Sequence, residues 1–386
     1  MRLLYAFPEP LPLPKARGIQ VAWMIDALCA AGVEVSLAHV PVANTHPLSP
    51  LKKPLAPSNL QIVPIARHWP FPFGRWHSVT RFTDLLVRWI DSHPANRPDI
   101  IFVRHLKLAY RLLKARQDFP LIYEAHECFA ETAPADKRSA LAAQEAYVLA
   151  RATGVVFISG AVQSALQRQY VVTPHQTVLH SGVEIPNSTV EKDWDNCKKH
   201  IVYAGSFFGW KGVDDLIDAA ADLPGYRITL IGGDASEIAR LQERIAPAGA
   251  EVRLLPRLST DRVMAHLQNA CIAVLPNRAE GVSQFTSPLK LFEYMGAGCA
   301  LVASDLPSIR EVLSQDEAAW FQPGDPISLR NALRQLGNAP ETAKAQGSAL
   351  RHLAENYTWH SRAKSLARFV EERLIERVGN HDVFNS

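Results

Sequence analysis

The chain has 386 residues, 47% of them apolar, 20% charged and 8% aromatic, with a formal net charge of +3. This composition excludes a disordered or fibrous protein, and so small a net charge excludes a nucleic-acid binder recognised by composition alone. The length predicts two domains, each able to bury its own core.

No apolar run reaches the roughly 20 residues that a spanning helix needs. The first 14 residues hold four prolines and only Arg2 ahead of their apolar positions, which does not match a signal peptide. The five cysteines, Cys29, Cys128, Cys197, Cys271 and Cys299, are widely spaced and form no CxxC pair. That spacing predicts neither a zinc ribbon nor a disulfide framework, and points to a reducing, cytoplasmic compartment.

Short β-branched runs alternate with amphipathic helical patterns. Strands are expected at 2–6, 33–40, 99–103, 120–124, 154–158 and 177–180, with helices at 19–31, 80–90 and 139–151. Basic charge gathers between Lys52 and Arg116, where 12 Lys/Arg face only Asp84, Asp91 and Asp99, and aromatic residues such as Trp69, Phe71, Trp76 and Trp89 interleave. Such a stretch suits an anionic membrane surface or an anionic acceptor, and equally a solvated basic face. Residues 183–199 then turn polar and read as a linker. The pattern restarts with strands at 200–204, 226–231, 251–255, 271–275 and 299–303, helices at 213–221 and 236–245, and a mostly helical end from 327. Alternating β and α segments predict doubly wound parallel sheets, with ligands at the carboxyl ends of the strands and in a cleft between the halves.

Several motifs are excluded by their spacing. Gly205 to Gly212 contains Lys211, but the lysine is misplaced for an ATPase phosphate loop and no Ser/Thr follows it. Gly296-Ala297-Gly298 precedes a strand instead of following one, the wrong order for a dinucleotide fingerprint. His126-Glu127 lacks the second histidine of the zinc-protease helix, and no GxSxG elbow occurs. Asp193-Trp194-Asp195 has the spacing of a metal-binding dyad but lies in the linker.

The most informative segment runs from Ser283 to Asp305. Ser287 and Pro288 are expected to start a helix, with Ser287 as cap and Pro288 at the first helical position. The helix start, beside Lys290, favours an anion such as a diphosphate, and Glu293 lies where a carboxylate can accept from a ribose diol. The alternative is a capped surface helix with an exposed glutamate.

Together these residues resemble the retaining glycosyltransferases of family 4, which have the GT-B fold. The resemblance covers most of the chain. Ser287 through Met295 and on to Asp305 resembles the family's donor-binding signature. Tyr203-Ala204-Gly205 through Trp210-Lys211-Gly212 is similar to its strand–loop–helix opening the second domain, and Ile231-Gly232-Gly233-Asp234 to its next strand end. His180 to Glu184 resembles the segment closing the first domain, and Ile122 to Glu127 the strand end that carries an active-site histidine. Arg17-Gly18 stands where the family has a glycine-rich turn.

The resemblance implies two Rossmann-like domains, 1–185 for the acceptor and 200–355 for a nucleotide-sugar donor, with residues 356–386 crossing back to the first. It implies transfer of a sugar, with retained configuration, to a glycan or lipid-linked glycan such as a growing polysaccharide, at the inner face of the membrane. Hinge closure is expected near 183–199. No metal or cofactor is implied. By this resemblance His126, Lys211 and Glu293 are the catalytic candidates. The donor-binding candidates are Gly18, Gly205, Ser206, Arg257, Ser287, Pro288, Leu289, Lys290 and Glu293, and Arg17 and Arg104 are candidates for acceptor or phosphate. Carboxylates flanking His126 predict a protonated imidazole. The sequence departs from the family at two places. Ser206 or Phe207 replaces an arginine that usually precedes Lys211, leaving Lys290, Arg257 or Arg278 to substitute, and Phe285 replaces the first glutamate of a pair completed by Glu293. Those departures leave open a nucleotide-sugar epimerase or a non-catalytic scaffold.

Overall fold

The structure, a computed structural model, describes residues 1–13, 15–51, 56–66, 78–94, 97–185, 192–285 and 287–383. The chain divides into two compact units, one of residues 1–180 with 359–386 and one of residues 181–358.

The first unit holds seven strands: β1 (Arg2–Leu11), β2 (Glu34–Pro41), β3 (Leu60–Pro64), β4 (Ile100–Val103), β5 (Leu121–Ala125), β6 (Gly154–Phe157) and β7 (Gln176–Val178). All pair in parallel, in the order β3-β2-β1-β4-β5-β6-β7. Parallel strands are covered on both faces, so the central ones read as unbroken apolar runs. Every residue of β4, β5 and β6 is buried accordingly. The chain leaves β1 toward β2 on one side and returns to β4 on the other, which puts the topological switch point between β1 and β4. The last helix, Trp359–Val383, belongs to this unit and packs against the first, Ala16–Ala30.

The second unit holds β8 (His200–Ala204), β9 (Arg227–Gly233), β10 (Glu251–Pro256), β11 (Ile272–Leu275), β12 (Ala300–Ser304) and β13 (Ala319–Phe321), in the parallel order β10-β9-β8-β11-β12-β13. Its switch point lies between β8 and β11. Alternate residues point to opposite faces. Ile201, Tyr203, Ile228, Leu230, Ile272 and Val274 join one buried cluster, while Val202, Ala204, Ile231, Ala273 and Leu275 join the other.

The strands expected at 2–6 and 177–180 run instead over Arg2–Leu11 and Gln176–Val178, and β3, β13 and the helices Leu106–Ala115 and Gly160–Gln169 are additional. One cysteine expectation fails. A disulfide joins Cys197 to Cys271 across 74 residues of sequence, and Cys29, Cys128 and Cys299 are buried thiols. Cysteine spacing could not reveal it, because the pair is brought together by the fold of the second sheet. Much of the basic–aromatic stretch, including Lys52, Trp69, Phe71 and Trp76, lies outside the described residues, as do Pro186 and Asn187 of the linker.

Candidate active site

In the second unit the candidates other than Arg257 gather at the switch point. Strand β8 ends at Ala204, and the loop after it is shaped by glycines. Gly205 donates its amide to Ile231 O at 2.8 Å, and a side chain on Gly232, whose φ is +129°, would run into Gly205 O. Gly212 has φ +68°, and a Cβ there would meet Pro276 O at 1.7 Å. No other residue fits either position. Ser206 is fixed through its backbone, its carbonyl accepting from Tyr203 Oη at 2.7 Å. Phe207 turns into the core under Gly233, whereas Phe208 stays half-exposed beside the Trp210 ring.

Lys211 ends a short 3-10 turn, Gly209–Lys211, ahead of the helix Val213–Ala220. Among the described residues its ammonium has no carboxylate partner, and it lies 4.1 Å from the centre of the Trp210 ring. Removal from water and the like charge of Lys290 push it down to about 8. The following helix is a poor anion site, because Asp214 and Asp215 already occupy its first turn.

The helix Leu289–Gly296 has no acidic residue in its first turn and no side-chain cap. Its start differs from expectation: Pro288 itself is the cap position, and buried Ser287 is bound elsewhere. The Ser287 hydroxyl accepts from Ser181 N at 3.3 Å, and its carbonyl accepts from Ser181 Oγ at 3.4 Å. One turn in, Lys290 Nζ donates to Glu293 Oε2 at 2.5 Å. The buried face of Leu291, Phe292, Tyr294 and Met295 seats the helix on the sheet, each large apolar side chain contributing roughly 1.5–3 kcal/mol.

Of the three cations proposed to replace the missing arginine, Arg278 is committed elsewhere. It grips buried Asp215 through both carboxylate oxygens, at 2.8 and 2.6 Å. Arg257 is exposed just past the carboxyl end of β10, near Asp234. Lys290 alone stands close enough to Lys211 to depress it.

In the first unit Arg104 follows β4 and His126 follows β5. Gly18, at the start of the first helix, allows the chain to pass Leu13, whose carbonyl a Cβ would meet at 2.3 Å. Arg17 is neutralised by a two-pronged bond to Glu9, at 2.9 and 2.6 Å. Arg104 reaches Arg17 O and Gln20 Oε1, each at 3.2 Å, and His126 Nδ1 at 3.3 Å. A guanidinium can only donate, so Nδ1 accepts and the ring proton sits on Nε2, which donates to Glu124 Oε2 at 2.7 Å.

The expectation of a protonated His126 is therefore overturned. Burial and the facing Arg104 outweigh Glu124 and push the imidazole down to about 4. Glu127, the second flanking carboxylate, turns away and accepts from Thr132 Oγ1. Glu124 is itself shared. Burial pushes its carboxyl up, but Arg362, His126 and Arg104 more than offset that and hold it well below the usual range. Arg362, on the last helix, bonds Glu124 Oε1, donates to His180 O at 2.8 Å and to Leu179 O at 3.3 Å, and is itself buried. Nothing in the sequence singles out Arg362, which lies 238 residues from Glu124. Tyr294, also missed, is signalled only by its place next to Glu293.

Comparison with known proteins agrees with this architecture. Residues 19–185 match the model for Glycosyltransferase Family 4, and residues 198–338 match that for Glycosyl transferases group 1. An uncharacterised glycosyltransferase of Methanocaldococcus jannaschii is 23% identical over 173 residues, 44% of this chain and 47% of that protein. The phosphatidyl-myo-inositol mannosyltransferase of Mycobacterium tuberculosis is 32% identical over 127 residues, 32% of either chain. The matched stretches thus span less than half of these relatives' own length. Among solved structures, sucrose-phosphate synthase of Thermosynechococcus elongatus aligns with a TM-score of 0.74 at 15% identity, over 96% of this chain and 98% of that one. HepE of Anabaena, solved with UDP, aligns at 0.72 and 15%, over 96% and 100%. Two doubly wound parallel units, each matched by a family model, show that the chain belongs to glycosyltransferase family 4 and has the GT-B fold.

Proposed function

We propose that the chain is a retaining glycosyltransferase, in which residues 181–358 hold a nucleotide-sugar donor and residues 1–180 hold a glycan or lipid-linked glycan acceptor. The observation that carries this reading is the pairing of Lys211 with Lys290 beside an uncapped helix start, at the switch point of the second sheet. A buried ammonium that a second cation helps to depress marks a place built for a multiply charged anion.

In the transfer, negative charge grows on the β-phosphate of the departing nucleoside diphosphate. Preorganised positive charge lowers that barrier. Lys211 supplies a fixed ammonium, and Lys290 a second one that the diphosphate draws away from Glu293. Glu293 is thereby released to accept from the ribose diol. The two lysines together replace the missing arginine, and neither metal nor cofactor takes part. HepE was solved with UDP and with UDP-glucose, which makes uridine donors the first class to test.

Peripheral contact with an anionic membrane is part of the same reading. Its support is a cluster on the helices Leu106–Ala115 and Ala135–Arg151, where Tyr110 and Tyr147 stack edge to face at 5.2 Å and Lys114 and Arg151 lie over the Tyr147 ring at 4.4 and 4.3 Å. Tyrosine with basic neighbours suits a headgroup layer. Among the described residues no helix is long and apolar enough to cross a membrane.

Product analysis tests the proposal. Nucleotide sugars incubated with oligosaccharide and lipid-linked acceptors should release nucleoside diphosphate together with a new glycosidic bond of the donor's anomeric configuration. Conversion of the donor without any acceptor, or no turnover across the panel, would contradict it.

A further inference from the structure

The last helix sends one side chain into the polar centre of the first unit. Arg362 is buried, and each arm of its guanidinium is used. One bond goes to His180 O, another to Leu179 O, a third to Glu124 Oε1, and Nη1 lies 3.1 Å from Met24 Sδ. A planar fork of donors suits this arrangement, which a lysine would not reproduce. Because Arg362 occupies Oε1, Glu124 has only Oε2 to offer His126, and the carboxylate plane is set by the arginine. Arg104 closes the other side of the ring. The result is a four-member chain, Arg362–Glu124–His126–Arg104, drawn from the last helix, β5, the loop after β5 and the loop after β4.

We propose that Arg362 is a positioning residue, which acts through Glu124 to hold His126 as a neutral imidazole with its proton on Nε2 and its acceptor lone pair on Nδ1. Two consequences follow. A ligand hydroxyl that displaces Arg104 meets an acceptor nitrogen already aimed, and the ring serves as a hydrogen-bond acceptor, not as a cation for phosphate. Anion contact in this unit falls to Arg104. The proposal concerns the histidine whatever the reaction, and rests on the proposed transfer only for its kinetic readout.

The charged and titratable groups around His126 fix the sign of the effect. Glu124 raises its pKa. Arg104 and Arg362 lower it, and Tyr5, buried under Arg104 and Glu124 on β1, stays neutral because burial raises its own pKa. His180, beside Arg362, is likewise pushed down by burial and by that arginine, and adds no charge near neutrality. Loss of Arg362 removes one depressing charge and leaves Glu124 wholly to the imidazole, so His126 becomes more basic.

The test uses the full chain labelled with [15N]histidine, with the His126 signals assigned from a His126→Asn variant. Long-range 1H–15N spectra report tautomer and charge directly. In the wild type His126 keeps the Nε2–H pattern, without protonating, from pH 8 down to about 5. In Arg362→Gln it should titrate at least about one pH unit higher. In Glu124→Gln only the amide oxygen can accept and Arg362 competes for it, so the Nε2–H should lose its fixed acceptor and its signal should shift, while Arg104 keeps the proton off Nδ1. If Arg362→Gln does not fold, Glu124→Gln decides the matter by itself. In transfer assays the Arg362→Gln variant should lose at least about tenfold in kcat, with a smaller change in donor KM and an acid limb moved toward neutrality. An unchanged His126 titration in folded Arg362→Gln, or an unchanged Nε2–H signal in folded Glu124→Gln, overturns the positioning role. Absence of transfer by the wild type, with the spectra as expected, overturns the proposed function and leaves the positioning role standing.

Discussion

The Tyr294 hydroxyl takes the place of a neighbouring strand for Ala204. It accepts from Ala204 N at 2.8 Å and donates to Ala204 O at 3.2 Å. Strand β11 pairs with β8 only at Ile201 and Val202, so at the switch point the ladder opens and the last residue of β8 has no strand partner on that side. Tyr294 fills the gap. Because Glu293 is its neighbour, the same contact ties the helix carrying Lys290 and Glu293 to the strand that leads to Lys211.

Tyr294→Phe should therefore cost both stability and binding. A buried amide left without its partner costs about 1–3 kcal/mol. Differential scanning calorimetry should show a Tm several degrees lower, and isothermal titration should show weaker nucleoside diphosphate binding by the folded variant. A variant as stable and as tight as the wild type would remove the tie between the two elements.

Lys211 gives nucleotide binding a pH dependence. The diphosphate needs the ammonium form, so affinity should fall as pH rises through about 8. Lys290→Met removes the like charge that helps depress Lys211, so the fall should move to higher pH while affinity at pH 7 weakens. Titrations between pH 6.5 and 9.5 would measure both, and an unmoved midpoint would show that the two lysines do not share a ligand.

Arg278 should matter for folding and not for the donor. Its partner Asp215 is buried and Arg278 itself about one-third exposed. Arg278→Met strands that carboxylate, which should cost about 2–4 kcal/mol, somewhat under the loss for a wholly buried pair. Chemical denaturation reads the loss. The folded variant should keep its stabilisation by nucleotide, and loss of that response at unchanged stability would place Arg278 on the ligand.

Much of the fold is legible because parallel strands announce themselves. Runs such as Ile100–Val103 and Gly154–Phe157 are apolar throughout and bounded by turns, whereas edge strands such as β3 and β13 are short and half-exposed and leave little pattern. The second-unit candidates were legible as residue types at a strand end, but their states were not. Ser287 reads as a helix cap until Ser181, over a hundred residues earlier, is found to hold it. His126 reads as protonated between Glu124 and Glu127, until Arg362 takes half of Glu124 and Arg104 faces the ring. Arg17 and Arg278 read as available cations until Glu9 and Asp215 are placed beside them. In each case residue type was visible and the partner, fixed only by folding, was not.

The most direct measurement is the thermal stabilisation of the wild type and of Lys211→Ala by UDP, GDP, ADP and CMP. A ligand that binds only the folded state raises Tm by mass action. One nucleoside diphosphate should raise the wild-type Tm by several degrees, and the Lys211→Ala protein, folded and equally stable alone, should not respond. A response to none of the four, or an equal response in the variant, would contradict a donor site built on Lys211.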